Sequence, residues 1–273
     1  MVKCRTIDRT GHSLFDFWPE ICYGVPGARA GQRRRLVSEA HMAKLYYFAG
    51  RGRAETTRWM LAANDIQFDN VPIDTPQTLA ALRTSGKLPF DQLPLLEIDD
   101  LRISQTTALL RYLARRGDLY GNDTMDALWC DMISGVAADL AEPAILAAFQ
   151  ESRDNALKGL RQRVDKFCPR LEGRIEQNGG RFIAAKRLSF ADIVLGEALS
   201  SHLELDPTSL DRFPLLSRLQ QAVIRLPGIA KYLNSPQRWP IAGDAYVINV
   251  AHVLERALPS HMPNPNRFVR GAS

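Results

Sequence analysis

Between Ala43 and Arg116 the chain changes hydrophobic period five times, and few folds accommodate that order. "KLYYF" is a short apolar burst of strand type ending at Phe48, and "GRGRAETTRW" turns through two glycines into a helix expected over about Arg53–Asn64. "FDNVPI" reads as a second strand and "PQTLAALRTSG" as a shorter helix. "LPLLEIDD" and "LRISQ" then read as two strands joined by an Asp-Asp turn, an antiparallel hairpin. A helix over Gln105–Arg116 follows, with Ala108, Leu109, Tyr112 and Leu113 as its apolar stripe.

The order β–α–β–α–β–β–α describes an α/β domain of thioredoxin-like type over 43–120. "GDLYGND" has the glycines and polar residues of a linker, and from Thr124 to Leu258 nearly every stretch has helical period, so an all-α domain is expected over 124–258. Within it, Ser189 and Asp192 of "LSFADIVLGEAL" have the spacing of a helix capping box, a structural role that requires no chemistry. "GDAYVINVAHVLERAL" has helical period, with Tyr246, Val247, Val250, Val253 and Leu254 on one side.

Charge narrows the function classes. The net charge is +5, yet residues 1–42 carry seven basic and four acidic side chains and the tail 259–273 adds Arg267 and Arg270. Residues 43–258 are left with 26 of each sign, so the basic pI does not indicate a nucleic-acid partner. No apolar run suggests a bilayer span, the first residues lack a secretory apolar block, and no membrane partner is expected. The four cysteines and five histidines stand at no ligand or redox spacing, which predicts no metal and a reducing, cytoplasmic location. Residues 1–42 show no sustained period. They are open to three readings: a targeting segment, a disordered basic arm, or a start placed upstream of Met42, the last being preferred.

Tyr47, "RGRAE", "QLP" (Gln92–Pro94), "QT" (Gln105, Thr106) and "LSFADI", in that order, resemble the cytosolic glutathione transferases over about 43–258. "KLYYFAGRGRAETTRWML", "GKLPFDQLPLLEIDD" and "DLYGND" are most similar to the alpha class, with the sigma class next. The resemblance implies a glutathione transferase architecture, with glutathione as cosubstrate and conjugation of its thiolate to hydrophobic electrophiles. Reduction of lipid hydroperoxides is a possible further activity. A sigma-like glutathione-dependent isomerase and a non-enzymatic carrier of hydrophobic ligands are the alternatives.

The same resemblance assigns roles. Tyr47 is the sulfur-contacting tyrosine, a fixed hydroxyl that favours a thiolate whose free thiol has a pKa of about 8.5. Strand alternation puts Tyr46 on the opposite face, in the core. Arg53 adds positive field at the thiolate. Leu93 precedes a cis-proline, Pro94, and pairs with the cysteinyl backbone. Gln105 and Thr106 meet the γ-glutamyl carboxylate with help from Gln92, while Arg83 faces the glycine carboxylate. Asp139 reaches across a homodimer to the γ-glutamyl amine, and Phe90 falls where related classes insert an aromatic key into the partner. A second cross-dimer position is Lys166, which lacks the arginine fork and is left out of the site. Ala49 and Gly50, small enough to leave room, are expected to line the electrophile pocket with the 243–258 segment.

Overall fold

The computed structural model describes residues 42–262. The basic extension expected over 1–42 therefore lies, apart from Met42, outside the described residues, as does the tail beyond Met262.

Strand β1 (Ala43–Phe48) sends Ala43, Leu45 and Tyr47 into the core in the alternation its sequence implies. It pairs in parallel with β2 (Phe68–Ile73), with Tyr47 opposite Pro72. Its other edge is antiparallel to β3 (Leu95–Ile98), which is in turn antiparallel to β4 (Leu101–Ser104), so the sheet order is β2-β1-β3-β4. Asp99 and Asp100 close the β3–β4 hairpin with φ of 50° and 61°. Both central residues of a two-residue hairpin turn need that left-handed backbone, and a short carboxylate side chain tolerates it.

The helix after β1 begins as a 3₁₀ turn, Gly52–Ala54, before α1 (Glu55–Ala63). Helix α2 (Pro76–Thr84) starts on Thr75, whose hydroxyl accepts the Thr78 N–H at 3.1 Å, and α3 is Thr106–Arg116.

Six further helices follow among the described residues: α4 (Thr124–Leu146), α5 (Arg153–Gln177), α6 (Phe190–Leu205), α7 (Pro214–Ile224), α8 (Pro227–Leu233) and α9 (Asp244–Val253). Asp123 caps α4 by accepting the N–H groups of Met125 and Asp126 at 2.8 and 2.9 Å. Helix α6 is buried continuously from Phe190 to Ser200, as an almost uniformly apolar helix must be, and it packs on α1, α4 and α7. Asp192 accepts hydrogen bonds from the Ser189 N–H and hydroxyl and from the Ile183 N–H, at 2.8, 2.7 and 2.8 Å.

Two expectations need correction. Thr124–Phe149, at a mean hydropathy of 1.5, is by length and composition apolar enough to cross a bilayer. It is nevertheless interrupted by Asp126, Asp131, Asp139 and Glu142, and it packs on α5 and α6. Tyr46 is only half buried. Its ring meets the small cluster of Leu82 and Leu95, while its hydroxyl donates to Glu97 Oε2 at 2.6 Å. Burial, reinforced by that carboxylate, pushes the Tyr46 hydroxyl up to about 12.

Candidate active site

The loop ends of β1 and β3, the start of α3, and the inner faces of α4 and α6 enclose a cleft of about 870 Å³. Tyr47, Arg53, Arg83, Gln92, Leu93, Pro94, Gln105 and Thr106 all line it. The elements that bring them there are local and separate. Strand β1 ends with Tyr47 buried to 7% exposure, and the Arg53 N–H, in the turn that follows, donates to the Tyr47 hydroxyl at 3.1 Å. The Tyr47 oxygen is thus fixed by backbone while the ring packs edge-on against Phe48.

The Leu93–Pro94 peptide is cis. Gln105 holds φ 70° and ψ 110°, a left-handed conformation that costs a non-glycine residue ~1 kcal/mol or more. Its side-chain amide donates to Gln92 Oε1 at 2.6 Å, which ties the loop before β3 to the start of α3. The N-terminus of α3 has no side-chain cap and no acidic residue in its first turn. Backbone N–H groups at Thr106 and Thr107 therefore open onto the cleft, an arrangement suited to a carboxylate.

Arg83 pairs with Asp91 at 2.5 Å, with both side chains largely exposed. The Arg53 guanidinium stands 4.0 Å from Glu142, which also takes Arg163 at 3.0 Å, so its positive field reaches the cleft partly shared. Asp139 is exposed and is not among the residues lining the cleft, whereas Asp131, Ser134 and Ala138 of the same helix are.

The electrophile side differs from expectation. Gly50 leaves no room: the ring of Tyr246 lies over it, where a Cβ would sit 2.4 Å from two of its ring carbons, and neither Ala49 nor Gly50 is among the residues lining the cleft. The apolar wall of the cleft comes instead from Ala137, Ala141, Ile145, Val194 and Leu254.

Thr56 and Glu197 are among the cleft residues that were not singled out from the sequence. They meet across α1 and α6, with the Thr56 hydroxyl donating to Glu197 Oε2 at 3.0 Å. Burial first, then the nearby Glu55 carboxylate, pushes Glu197 up to about 7. A second carboxylate in "FADIVLGEAL", beyond the capping Asp192, was the available signal.

Comparison with known proteins agrees with this geometry. The family model described as glutathione S-transferase, N-terminal domain, matches residues 43–115, and that described as glutathione S-transferase, C-terminal domain, matches 138–236. Human glutathione S-transferase A1 is 36% identical over 207 residues, 74% of this chain and 93% of the relative. Rabbit (Oryctolagus cuniculus) glutathione S-transferase alpha I is 36% identical over 200 residues, 72% of this chain and 90% of the relative. Among solved structures, the Pi-class glutathione S-transferase of Onchocerca volvulus superposes with a TM-score of 0.64 at 30% identity, covering 74% of this chain and 98% of that one. The chain belongs to the glutathione S-transferase family and is alpha-like within it.

Proposed function

We infer that in this glutathione transferase Tyr47 donates its proton to the glutathione sulfur, and that the other cleft residues hold the tripeptide around that contact. The observation that carries the reading is the Arg53 N–H on the Tyr47 hydroxyl. A phenol has one proton to give and two lone pairs to accept with. The backbone donor occupies one lone pair and leaves the proton available to a group in the cleft.

A hydrogen bond to a charged partner contributes ~1.5–3 kcal/mol, which lowers a thiol pKa by one to two units and makes the thiolate abundant near neutral pH. Arg53 adds positive charge. The uncapped start of α3, with Gln105 and Thr106, receives the γ-glutamyl carboxylate with Gln92. Leu93, before Pro94, presents its backbone to the cysteinyl unit. Arg83 takes the glycine carboxylate, exchanging its contact with Asp91 for one with the ligand.

Second substrates are hydrophobic electrophiles, for which the alanine-rich wall of α4 offers an apolar surface. The active form is a cytoplasmic homodimer. Phe90 is 66% exposed, and α4 leaves Met125, Leu128 and Met132 uncovered. Asp139, exposed and outside its own cleft, is free to serve a partner's. The catalytic division lies between a glutathione-holding domain over 43–120 and a helical domain over 124–258.

The test is conjugation to an aryl halide across about pH 5.5–8.5 with Tyr47→Phe and Tyr46→Phe beside the parent. Tyr47→Phe is expected to lose ~10–100-fold of the rate near neutrality and to raise the apparent thiol pKa, with Tyr46→Phe close to the parent. Equal rates for Tyr47→Phe and the parent would remove the assignment.

A further inference from the structure

The second lone pair of the Tyr47 oxygen has a claimant that lies on the far side of the sequence. Tyr246, in the first turn of α9, brings its hydroxyl to the place where Tyr47 ends. A Cβ on Gly52 would be 2.6 Å from Tyr47 Oη and 2.8 Å from Tyr246 Oη, so both hydroxyls lie beside this one glycine, whose φ is +42°. The approach is possible because residue 50 is also glycine: the Tyr246 ring fills the space a side chain there would need.

The ring is held from behind by Phe149, edge-on at 6.0 Å and 79°. Helix α9 is anchored at both ends. Val247 is buried against Ala148 and Met262, and Val253 joins the cluster of Leu79 and Leu95. The Asn249 amide donates to the Asp74 carbonyl at 3.2 Å. Tyr246 is therefore a packed side chain with its hydroxyl turned inward at Tyr47. Burial, and next the contact with Tyr47, push the Tyr246 hydroxyl far above its ordinary value, so it keeps its proton as a donor throughout the working range of pH.

We propose that Tyr246 is a positioning residue: its hydroxyl donates to Tyr47 Oη, completes the pair of acceptor contacts begun by the Arg53 N–H, and so directs the Tyr47 proton at the glutathione sulfur. With both lone pairs engaged, the phenolic O–H has one direction left, into the cleft. Two donors on one oxygen also polarise its O–H bond, which strengthens the bond it makes to a thiolate. Thiol activation thereby depends on α9 being docked. The inference rests on the reading of Tyr47 as the sulfur partner.

The experiment uses the full chain as parent, Tyr246→Phe, Tyr47→Phe and the double variant. The absorbance of bound glutathione thiolate is titrated with pH, and kcat and KM are measured with an aryl halide. Tyr246→Phe keeps the ring over Gly50 and deletes only the hydroxyl. It is expected to raise the apparent thiol pKa and to lower kcat ~3–10-fold near pH 6.5, with the loss fading in alkali and KM for glutathione within about twofold. In the Tyr47→Phe background the same change is expected to have no further effect, because the hydroxyl acts only through Tyr47. If Tyr47→Phe shifts the titration and Tyr246→Phe does not, or if the two losses multiply in the double variant, the inference is overturned while the role of Tyr47 stands. If neither variant shifts it, both fail together.

Discussion

Replacing Glu197 by glutamine should change how stability depends on pH, and the sign is fixed by where the carboxylate sits. Glu197 is 5% exposed on α6, accepts hydroxyls from Thr56 at 3.0 Å and Ser201 at 2.9 Å, and has Glu55 as a like-charged neighbour. Burial and that repulsion outweigh the two hydroxyls and Arg51, and lift it from 4.5 to about 7. Between those values the folded chain keeps a proton that the unfolded chain has released. Stability from this residue is thus fully present below about pH 4.5 and is lost as pH rises through about 7. At ~1.4 kcal/mol per tenfold change in proton affinity, the loss above neutrality is about 3 kcal/mol. Glutamine, neutral at every pH and of the same shape, does not suffer it. Urea unfolding of parent and Glu197→Gln at one protein concentration, at about pH 5 and again at about pH 8, isolates the effect, because every other titrating group is common to both. The variant should gain ~2–3 kcal/mol on the parent between the two conditions. A difference that is the same at both, or one that shrinks toward pH 8, would refute the reasoning.

Gly50→Ala places a methyl 2.4 Å from the Tyr246 ring, so α9 must move; limited proteolysis should cut near α9 faster, and kcat should fall about tenfold. Asp192→Asn gives the donors at Ile183 and Ser189 an amide where they had a carboxylate, at a cost of ~3 kcal/mol, read as a lower Tm by roughly 6–12 °C. Phe90→Ser removes an exposed aromatic that each copy would bury in the other. At ~1.5–3 kcal/mol per ring, sedimentation should show the dimer dissociation constant rising 100-fold or more.

The elements whose ends are marked by strong local signals were legible. "FDNVPI" is β2 residue for residue, and the Asp-Asp turn closes the hairpin with both aspartates at positive φ. Alternation separated Tyr46 from Tyr47 correctly but said nothing of how thickly each face is covered. The thin layer over Tyr46 lets its hydroxyl reach Glu97, a partner that no local pattern names. The resemblance pointed to the cleft-lining residues, whereas the expectation of room at Gly50 rested on its small size. Small size reads as empty space in a sequence. Here it is space already filled by a ring from α9, and only the folded chain shows which ring. Glu197 was passed over because apolar neighbours place a helix in the core without revealing that one carboxylate on it meets Thr56 at the cleft.

The turn that carries the Arg53 N–H lies against Tyr47 of β1 and is also held from the helical elements. Arg51 Nε donates to the Trp239 carbonyl at 2.6 Å, and its Nη1 pairs at 2.6 Å with Glu204, which Arg238 also grips. Glu55, buried at the start of α1, accepts from Arg58 at 3.1 Å, Trp59 at 3.2 Å and the Tyr232 hydroxyl at 3.0 Å. Breaking such a buried, fully paired set by removing one member costs ~3–5 kcal/mol, so the turn has no cheap alternative position. Helix α8 through Tyr232, the segment before α9 through Trp239, and α9 through Tyr246 therefore converge on six consecutive residues, Gly50–Glu55. The helical part of the chain does more than wall the electrophile pocket: it holds the backbone donor against which Tyr47 is aligned. If Tyr47 has the role proposed for it, a change at Glu204 or Tyr232, remote from the cleft, is expected to loosen the Arg53 N–H on Tyr47 and to raise the apparent thiol pKa in the same titration.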